Sequence, residues 1–143
     1  MAREFALQAL YQWTVRGGET ADILHQFSEL KRYPQIDDGY FADAVRDAIG
    51  QRDALEARFS PYLDRAAAEL SPVEYAILLL ASYELVHRLD VPYRVVMNEA
   101  IDLAKRYGGT DGHKFVNGVL DKLAAQARAE EIAYARKQRR NPQ

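Results

Sequence analysis

The segment RYGGTDGHKFVNGVLD, residues 106–121, concentrates side chains that can bind a ligand. It holds a double glycine, an acid, a histidine, a lysine and an aromatic ring within a short stretch of chain. Glycines ahead of a helix resemble a phosphate-binding loop, because the N–H groups at a helix N-terminus point outward. No strand precedes this turn, so the nucleotide signal is weak. A helix stop, a short turn and a helix restart explain the glycines more simply.

The helix after this turn shifts the balance toward RNA. If the apolar positions of 112–125 form its buried face, Lys114 and Asn117 lie off that face and Phe115 lies at its margin. Single-stranded RNA is commonly bound by an edge aromatic beside a lysine, since bases stack on the ring and phosphates are attracted by the ammonium group. The periodicity fits an alternative equally well, in which Phe115 only fills the core between two helices.

No arrangement of residues indicates catalysis. The three histidines, His25, His87 and His113, fall on three different predicted helices, and none has a second ligand at metal-binding spacing. The sequence has no cysteine, which excludes a disulfide, a thiolate zinc site and a cysteine nucleophile. Nucleophile-elbow, P-loop and dinucleotide motifs are also missing. We therefore expect no catalytic residue, no metal ligand and no cofactor, and we expect that the protein is not an enzyme.

Composition predicts one ordinary domain. The chain has 143 residues, of which 48% are hydrophobic, and a net charge of −2. Residues 1–70 carry 8 Lys and Arg against 12 Asp and Glu, whereas residues 71–143 carry 11 against 9. Coating a nucleic acid requires clustered basic residues that release counterions from phosphates. Any nucleic-acid site in this chain must therefore be local.

The longest strongly apolar run, YAILLLASY at 75–83, is much shorter than the roughly 20 residues that a membrane-spanning helix needs. The N-terminus does not have the layout of a signal peptide. We expect no membrane association and a cytoplasmic location.

Helical periodicity extends along almost the whole chain, and no stretch alternates long enough for a strand. The sequence predicts an all-α fold, a single-domain bundle of about seven helices over residues 1–127, followed by a basic tail over 128–143. We expect this tail to be a solvated helical extension or disordered. The first two expected helices cover 2–15 and the stretch that follows Thr20 as far as Leu30. A helical pattern then extends over 40–63, with a break near Gly50 and a kink or a fresh start at Pro61. The remaining expected helices cover 73–86, 95–107 and about 112–125.

Residues typical of helix ends support several of these helix bounds. The glycines of RGG at 16–18 end the first helix, and Thr20 is expected to cap the second, which should turn Leu30 inward. The clearest signal is SPVE at 71–74, in which a serine cap, a proline in the first turn and a glutamate three residues after the cap form a capping box. The helix after it is apolar on most sides, which predicts the buried centre of the bundle.

Four segments of this sequence resemble the NusB family of bacterial transcription antitermination factors. The resemblance covers about residues 2–125, and the block from VPY to HKFVNGVLD is its most specific part. The segments are ALQALYQW at 6–13, SPVEYAILLLASYEL at 71–85, DVPYRVVMNEAIDLAKRYGG at 90–109 and HKFVNGVLDKLA at 113–124.

This resemblance implies an all-helical bundle that binds RNA and protein. Members of the family bind the boxA element of ribosomal RNA leader transcripts together with the ribosomal protein NusE, and they help RNA polymerase to read through terminators as part of an antitermination complex. Carried over position by position, the resemblance implies RNA contacts from Arg3, Tyr107, Asp111, Lys114 and Phe115. It implies contacts with NusE from Tyr11 and Glu74. Glu74 would then have both a capping role and an interaction role.

The N-terminus departs from the family pattern. The family usually has several arginines before the ARE motif, whereas this sequence keeps only Arg3. Either the start is genuinely short or the natural chain begins earlier. A genuinely short start predicts weaker intrinsic RNA affinity, because each lost phosphate contact removes an electrostatic contribution. The basic residues of the tail, Arg136, Lys137, Arg139 and Arg140, either replace those contacts or only solubilise the chain end.

Two other functions remain open at this stage. The same helical domain resembles the accessory N-terminal domain of certain RNA cytosine methyltransferases, although this chain is too short to include a domain for the methyl donor. A purely structural homo-oligomeric domain would use the same amphipathic helices without RNA. A homodimer could also form through the surface that is offered to NusE.

Overall fold

The computed structural model describes residues 2–140 and confirms the all-α prediction. Within these residues eight α-helices follow one another, and three short 3-10 turns lie at Tyr33–Gln35, Ser60–Tyr62 and Ala67–Glu69. The helices are α1 (Ala2–Arg16), α2 (Thr20–Ser28), α3 (Asp38–Gly50), α4 (Arg52–Phe59), α5 (Pro72–His87), α6 (Tyr93–Tyr107), α7 (Gly112–Ala127) and α8 (Ala129–Arg140).

Helix α5 is the centre of the bundle, as its sequence predicts. Every residue from Tyr75 to Leu85 is buried, and the helix packs against α1, α3, α4, α6 and α7. Its N-terminus has the expected capping box, in which the Glu74 N–H donates to Ser71 Oγ at 3.2 Å and the Ser71 N–H donates to Glu74 Oε1 at 3.3 Å. The cap fixes the first turn of α5 and therefore the position of Glu74.

Two local predictions at the start of the bundle are wrong. Thr20 is the first residue of α2 and not its cap; Glu19 occupies the cap position and makes no side-chain capping bond. Leu30 is 42% exposed, because α2 ends at Ser28 and the chain turns away from the core. The preceding glycines are placed as expected, since Gly17 and Gly18 have φ values of +71° and +107°, which favour glycine.

Helix α8 joins the bundle through an arginine that the sequence places in the polar tail. Arg128 is only 3% exposed, and its guanidinium group also pairs with Glu131. The second carboxylate oxygen of Glu131 accepts the N–H of Tyr93 at 2.8 Å, which ties α8 to the first turn of α6. The guanidinium donates to four backbone carbonyls at the end of α5 and just after it, those of Glu84, Leu85, Arg88 and Val91.

This clasp gives a donor to the carbonyl of Leu85 in the last turn of α5. It adds a second donor to the carbonyls of Glu84 and Arg88, which already accept the backbone N–H groups of Arg88 and Val91. Arginine suits it because a planar fork with five N–H donors can reach several acceptors at once. The rest of α8 has no buried residue, and its last turns carry Lys137, Arg139 and Arg140. Among residues 2–140, no helix combines the length and the hydropathy that crossing a membrane requires.

Candidate functional site

The turn between α6 and α7 has a fixed geometry. The Gly108 N–H donates to the carbonyl of Ala104 at 2.8 Å, and a Cβ added at Gly108 would lie 2.6 Å from that same oxygen. Only glycine fits this close approach. Asp111 then adopts the left-handed region with φ +64°, and its carbonyl accepts the N–H of Lys114 at 3.1 Å in the first turn of α7. The turn therefore holds the start of α7 in one orientation.

Asp111 and Lys114 form an exposed ion pair on this turn. Lys114 Nζ lies 3.3 Å from Asp111 Oδ1, and both side chains are largely in solvent. An exposed pair of this kind contributes little to stability, about 0 to 1 kcal/mol. The ammonium group can therefore exchange its carboxylate partner for a phosphate at small cost.

Phe115 lies at the margin of the core, where its position in the sequence predicts it. Its ring is partly buried and packs against the core, which agrees with a position at the margin of α7. The ring is also covered by Arg65, whose guanidinium carbon lies 4.7 Å from the ring centroid. Arg65 comes from the loop before α5, fifty positions earlier in the sequence. No local pattern marks Arg65, so the sequence analysis missed it.

Tyr107 ends α6 beside the start of α1. Its hydroxyl donates to Glu4 Oε1 at 2.9 Å, and Arg106 pairs with the same carboxylate. The hydrogen bond to Glu4 raises the pKa of Tyr107 above its ordinary value. The ring remains 43% exposed, so it presents an aromatic surface to solvent although its hydroxyl is anchored.

Arg3 lies in a different environment from the exposed basic residues. Its Nε donates to Glu84 Oε1 and its Nη2 donates to Glu84 Oε2, each at 3.0 Å. Glu84 is 2% exposed and also accepts the hydroxyl of Tyr40 at 2.9 Å. Burial and this carboxylate raise the pKa of Tyr40 far above its ordinary value. Two of the three guanidinium nitrogens of Arg3 are therefore engaged inside the bundle.

Tyr11 and Tyr107 line one apolar groove of about 250 Å³. Its other walls are Leu7, Gln8 and Val73. Tyr11 is 42% exposed, and Glu74, next to Val73, is partly exposed. A residue implied in RNA binding, Tyr107, therefore shares a groove with a residue implied in protein binding, Tyr11. Helices α1, α5 and α6 bring these residues together from distant parts of the sequence.

The described residues do not gather a metal site. In the range 2–140, no three His, Asp or Glu side chains lie close enough together to hold an ion. The histidines are on separate helices: His25 on α2 pairs with Glu29, His87 ends α5 beside the ring of Tyr83, and His113 begins α7. The arrangement suits recognition of a ligand by rings, cations and shape.

The chain is similar in sequence and in structure to known proteins of one family. The model of the NusB family matches residues 1–125. The transcription antitermination protein NusB of Nitrosomonas eutropha is 52% identical over 132 residues, which cover 92% of this chain and 79% of the relative. Solved NusB from T. maritima superposes with a TM-score of 0.82 at 31% identity, over 92% of this chain and 94% of the other.

A second solved structure contains the antitermination factors NusB and NusE in complex with dsRNA. It superposes with a TM-score of 0.77 at 26% identity, over 87% of this chain and 94% of the other. The family match covers the whole bundle up to the last turn of α7. These agreements confirm the resemblance found in the sequence, and the chain belongs to the NusB family.

Proposed function

We propose that this protein is a transcription antitermination factor that binds the boxA RNA of ribosomal RNA leader transcripts together with the ribosomal protein NusE. The bound complex promotes read-through by RNA polymerase in the cytoplasm, and the protein itself catalyses no reaction. Family membership, the names of its relatives and the solved NusB–NusE complex with dsRNA support this function. The structural observation that carries it is the turn at 108–115, which presents a ring and an ammonium group at the start of one helix.

The proposed RNA surface is centred on this turn. Lys114 attracts phosphate and Phe115 and Tyr107 provide aromatic surface, while Asp111 balances the charge of Lys114 and accepts hydrogen bonds. Arg3 adds a phosphate contact at the start of α1 through a guanidinium group that Glu84 already holds. Phosphate contacts supply affinity, whereas stacking requires an unpaired base.

The proposed NusE surface is the neighbouring groove with Tyr11 and Glu74. Because Tyr107 also lines this groove, a partner seated on Tyr11 would contact the edge of the RNA surface. RNA and NusE would then bury more surface together than either buries alone. In the absence of NusE, a second copy of the chain could cover the same groove.

Fluorescence anisotropy of a labelled boxA RNA, with and without saturating NusE, tests this function. We expect binding that is tighter with NusE and that falls about tenfold in Phe115→Ala, on the scale of a lost stacking contact. Phe115→Leu is the matched control because it keeps apolar volume but removes the ring. If the aromatic ring is part of the stacking surface, Leu fails as Ala does; if the ring only fills the core, Leu restores binding.

Absence of RNA affinity both alone and with NusE would contradict the proposed function. It would favour a purely structural, self-associating helical domain.

A further inference from the structure

Arg65 lies over the ring of Phe115. Its guanidinium carbon is 4.7 Å from the ring centroid, a distance at which a cation is attracted by the ring face. The side chain of Arg65 is 39% exposed, so part of it is accessible to a ligand. A ligand that approaches the ring along this face meets Arg65 before it meets Phe115.

The neighbouring carboxylate of Asp64 orients the guanidinium group of Arg65. Arg65 Nε donates to Asp64 Oδ1 at 2.7 Å and Nη2 donates to Asp64 Oδ2 at 3.2 Å. The hydrogen bond from Arg65 lowers the pKa of Asp64 below its ordinary value. This two-point contact favours one orientation of the guanidinium plane, and a planar guanidinium is a surface on which nucleic-acid bases stack.

The charges around the turn are balanced in pairs. Asp64 neutralises Arg65, and Asp111 neutralises Lys114. A neutral surface attracts phosphates only weakly and without regard to sequence. At Arg65, whose charge Asp64 already balances, affinity would come mainly from stacking, which favours an unpaired base over a duplex backbone.

We propose that Arg65 is a direct RNA contact, and that it forms the middle layer of a stack with Phe115 beneath it and one unpaired RNA base above it. The proposal rests on the proposed function, because it assigns a further residue to the same RNA surface. In this arrangement Phe115 contributes to RNA binding through the guanidinium group that its ring supports, so Phe115→Ala weakens binding because that support is lost.

The test measures the affinity of fluorescein-labelled single-stranded boxA RNA with saturating NusE, for the full chain and three variants. Arg65→Ala should weaken binding about tenfold, the scale of one stacking contact. Arg65→Lys should lose most of this affinity while keeping the salt dependence, because lysine has the charge without the plane. Arg46→Ala, which removes an exposed arginine of α3, is the matched control and should bind like the wild type.

Replacing successive bases of the RNA with 2-aminopurine gives an independent readout. One position should show fluorescence quenching on binding to the wild type and to Arg46→Ala, but not to Arg65→Ala. Urea unfolding of each variant confirms that loss of affinity is not loss of folding. Arg65 is exposed, so we expect its variants to unfold at nearly the same urea concentration as the wild type.

The two hypotheses fail in different ways. If the wild type binds no RNA even with NusE, the proposed function is wrong and the role of Arg65 is wrong with it. If the wild type binds and Phe115→Ala weakens binding, but Arg65→Ala binds as tightly as the wild type or more tightly, only the role of Arg65 is wrong. In that case the guanidinium group covers the ring in the free protein and moves aside when the base stacks.

Discussion

Arg3 and Glu84 lie 81 positions apart in the sequence and form a two-point ion pair that fastens the start of α1 to the centre of the bundle. The carboxylate is 2% exposed, so it depends on its protein partners for the hydrogen bonds that water would otherwise provide. Arg3 therefore has a structural role whatever it contributes to RNA binding.

Arg3→Ala should lower the free energy of unfolding by about 3 kcal/mol, because within residues 2–140 it leaves the buried carboxylate of Glu84 with the Tyr40 hydroxyl as its one side-chain partner. Urea denaturation measures this loss. Arg16→Ala, at the exposed end of α1, is the control and should change stability by less than about 0.5 kcal/mol. The double variant Arg3→Met with Glu84→Leu should recover most of the stability, since both charges are removed. An Arg3→Ala variant as stable as the wild type would contradict the structural role of Arg3.

Asp111→Asn should tighten RNA binding and steepen its salt dependence. The substitution frees the Lys114 ammonium group from its only close carboxylate among the described residues, 3.3 Å away, so that the ammonium can bind a phosphate. Folding should be unchanged because asparagine also tolerates the left-handed backbone at φ +64°. Anisotropy at two salt concentrations measures the effect. Weaker RNA binding at both salt concentrations would show instead that the Asp111 carboxylate itself contacts a base.

Glu74→Gln separates the two roles of Glu74. Glutamine can also complete a capping box, so thermal stability should remain close to that of the wild type. If the charge of Glu74 contacts NusE, the variant should bind NusE several-fold more weakly in a pull-down or calorimetric titration. Ser71→Ala is the complementary control: it should cost about 1 kcal/mol of stability through the lost cap and leave NusE binding intact in the folded protein. Unchanged NusE affinity in Glu74→Gln would limit Glu74 to capping.

We expect the protein to lose stability in alkaline solution because of Tyr75. Burial and the hydrogen bond from its hydroxyl to Glu56 at 2.7 Å raise the pKa of Tyr75 to about 12. An unfolded tyrosine loses its proton near pH 10, so the folded state binds more protons between these values. The free energy of unfolding should therefore hold up to about pH 10 and fall as the pH rises through 12.

Tyr75→Phe should remove about 2 to 3 kcal/mol of this alkaline fall. Urea denaturation at several pH values above 9 measures the slope. Glu56→Gln keeps an acceptor for the hydroxyl but removes the negative charge, so it should retain part of the slope. Equal slopes in Tyr75→Phe and the wild type would contradict the assignment to Tyr75.

The sequence predicts those parts of the structure that depend on neighbouring residues. The capping box at Ser71, the break at Gly50 and the buried face of α7 follow from local signals and helical periodicity, and the structure has all three. The prediction that Leu30 is buried is wrong because periodicity does not reveal where a helix ends. Helix α2 ends at Ser28, before another turn could bring Leu30 inward.

The missed residues act across long distances in the sequence. Arg128 reads as the first residue of a polar tail, yet it is buried and its guanidinium group donates to carbonyls at the end of α5 and just after it. Arg65 reads as an ordinary loop residue, yet it covers Phe115. Neither contact has a local signature, since each depends on how the helices pack. The roles of the predicted RNA and NusE residues remain predictions for the experiments above.

The most direct test of joint assembly is a calorimetric measurement of four affinities: boxA RNA with and without NusE, and NusE with and without boxA RNA. If the two ligands meet at Tyr107 and Tyr11, each should tighten the other by the same factor, about fivefold or more. Equal affinities in the presence and absence of the second ligand would contradict an adjoining RNA and protein surface.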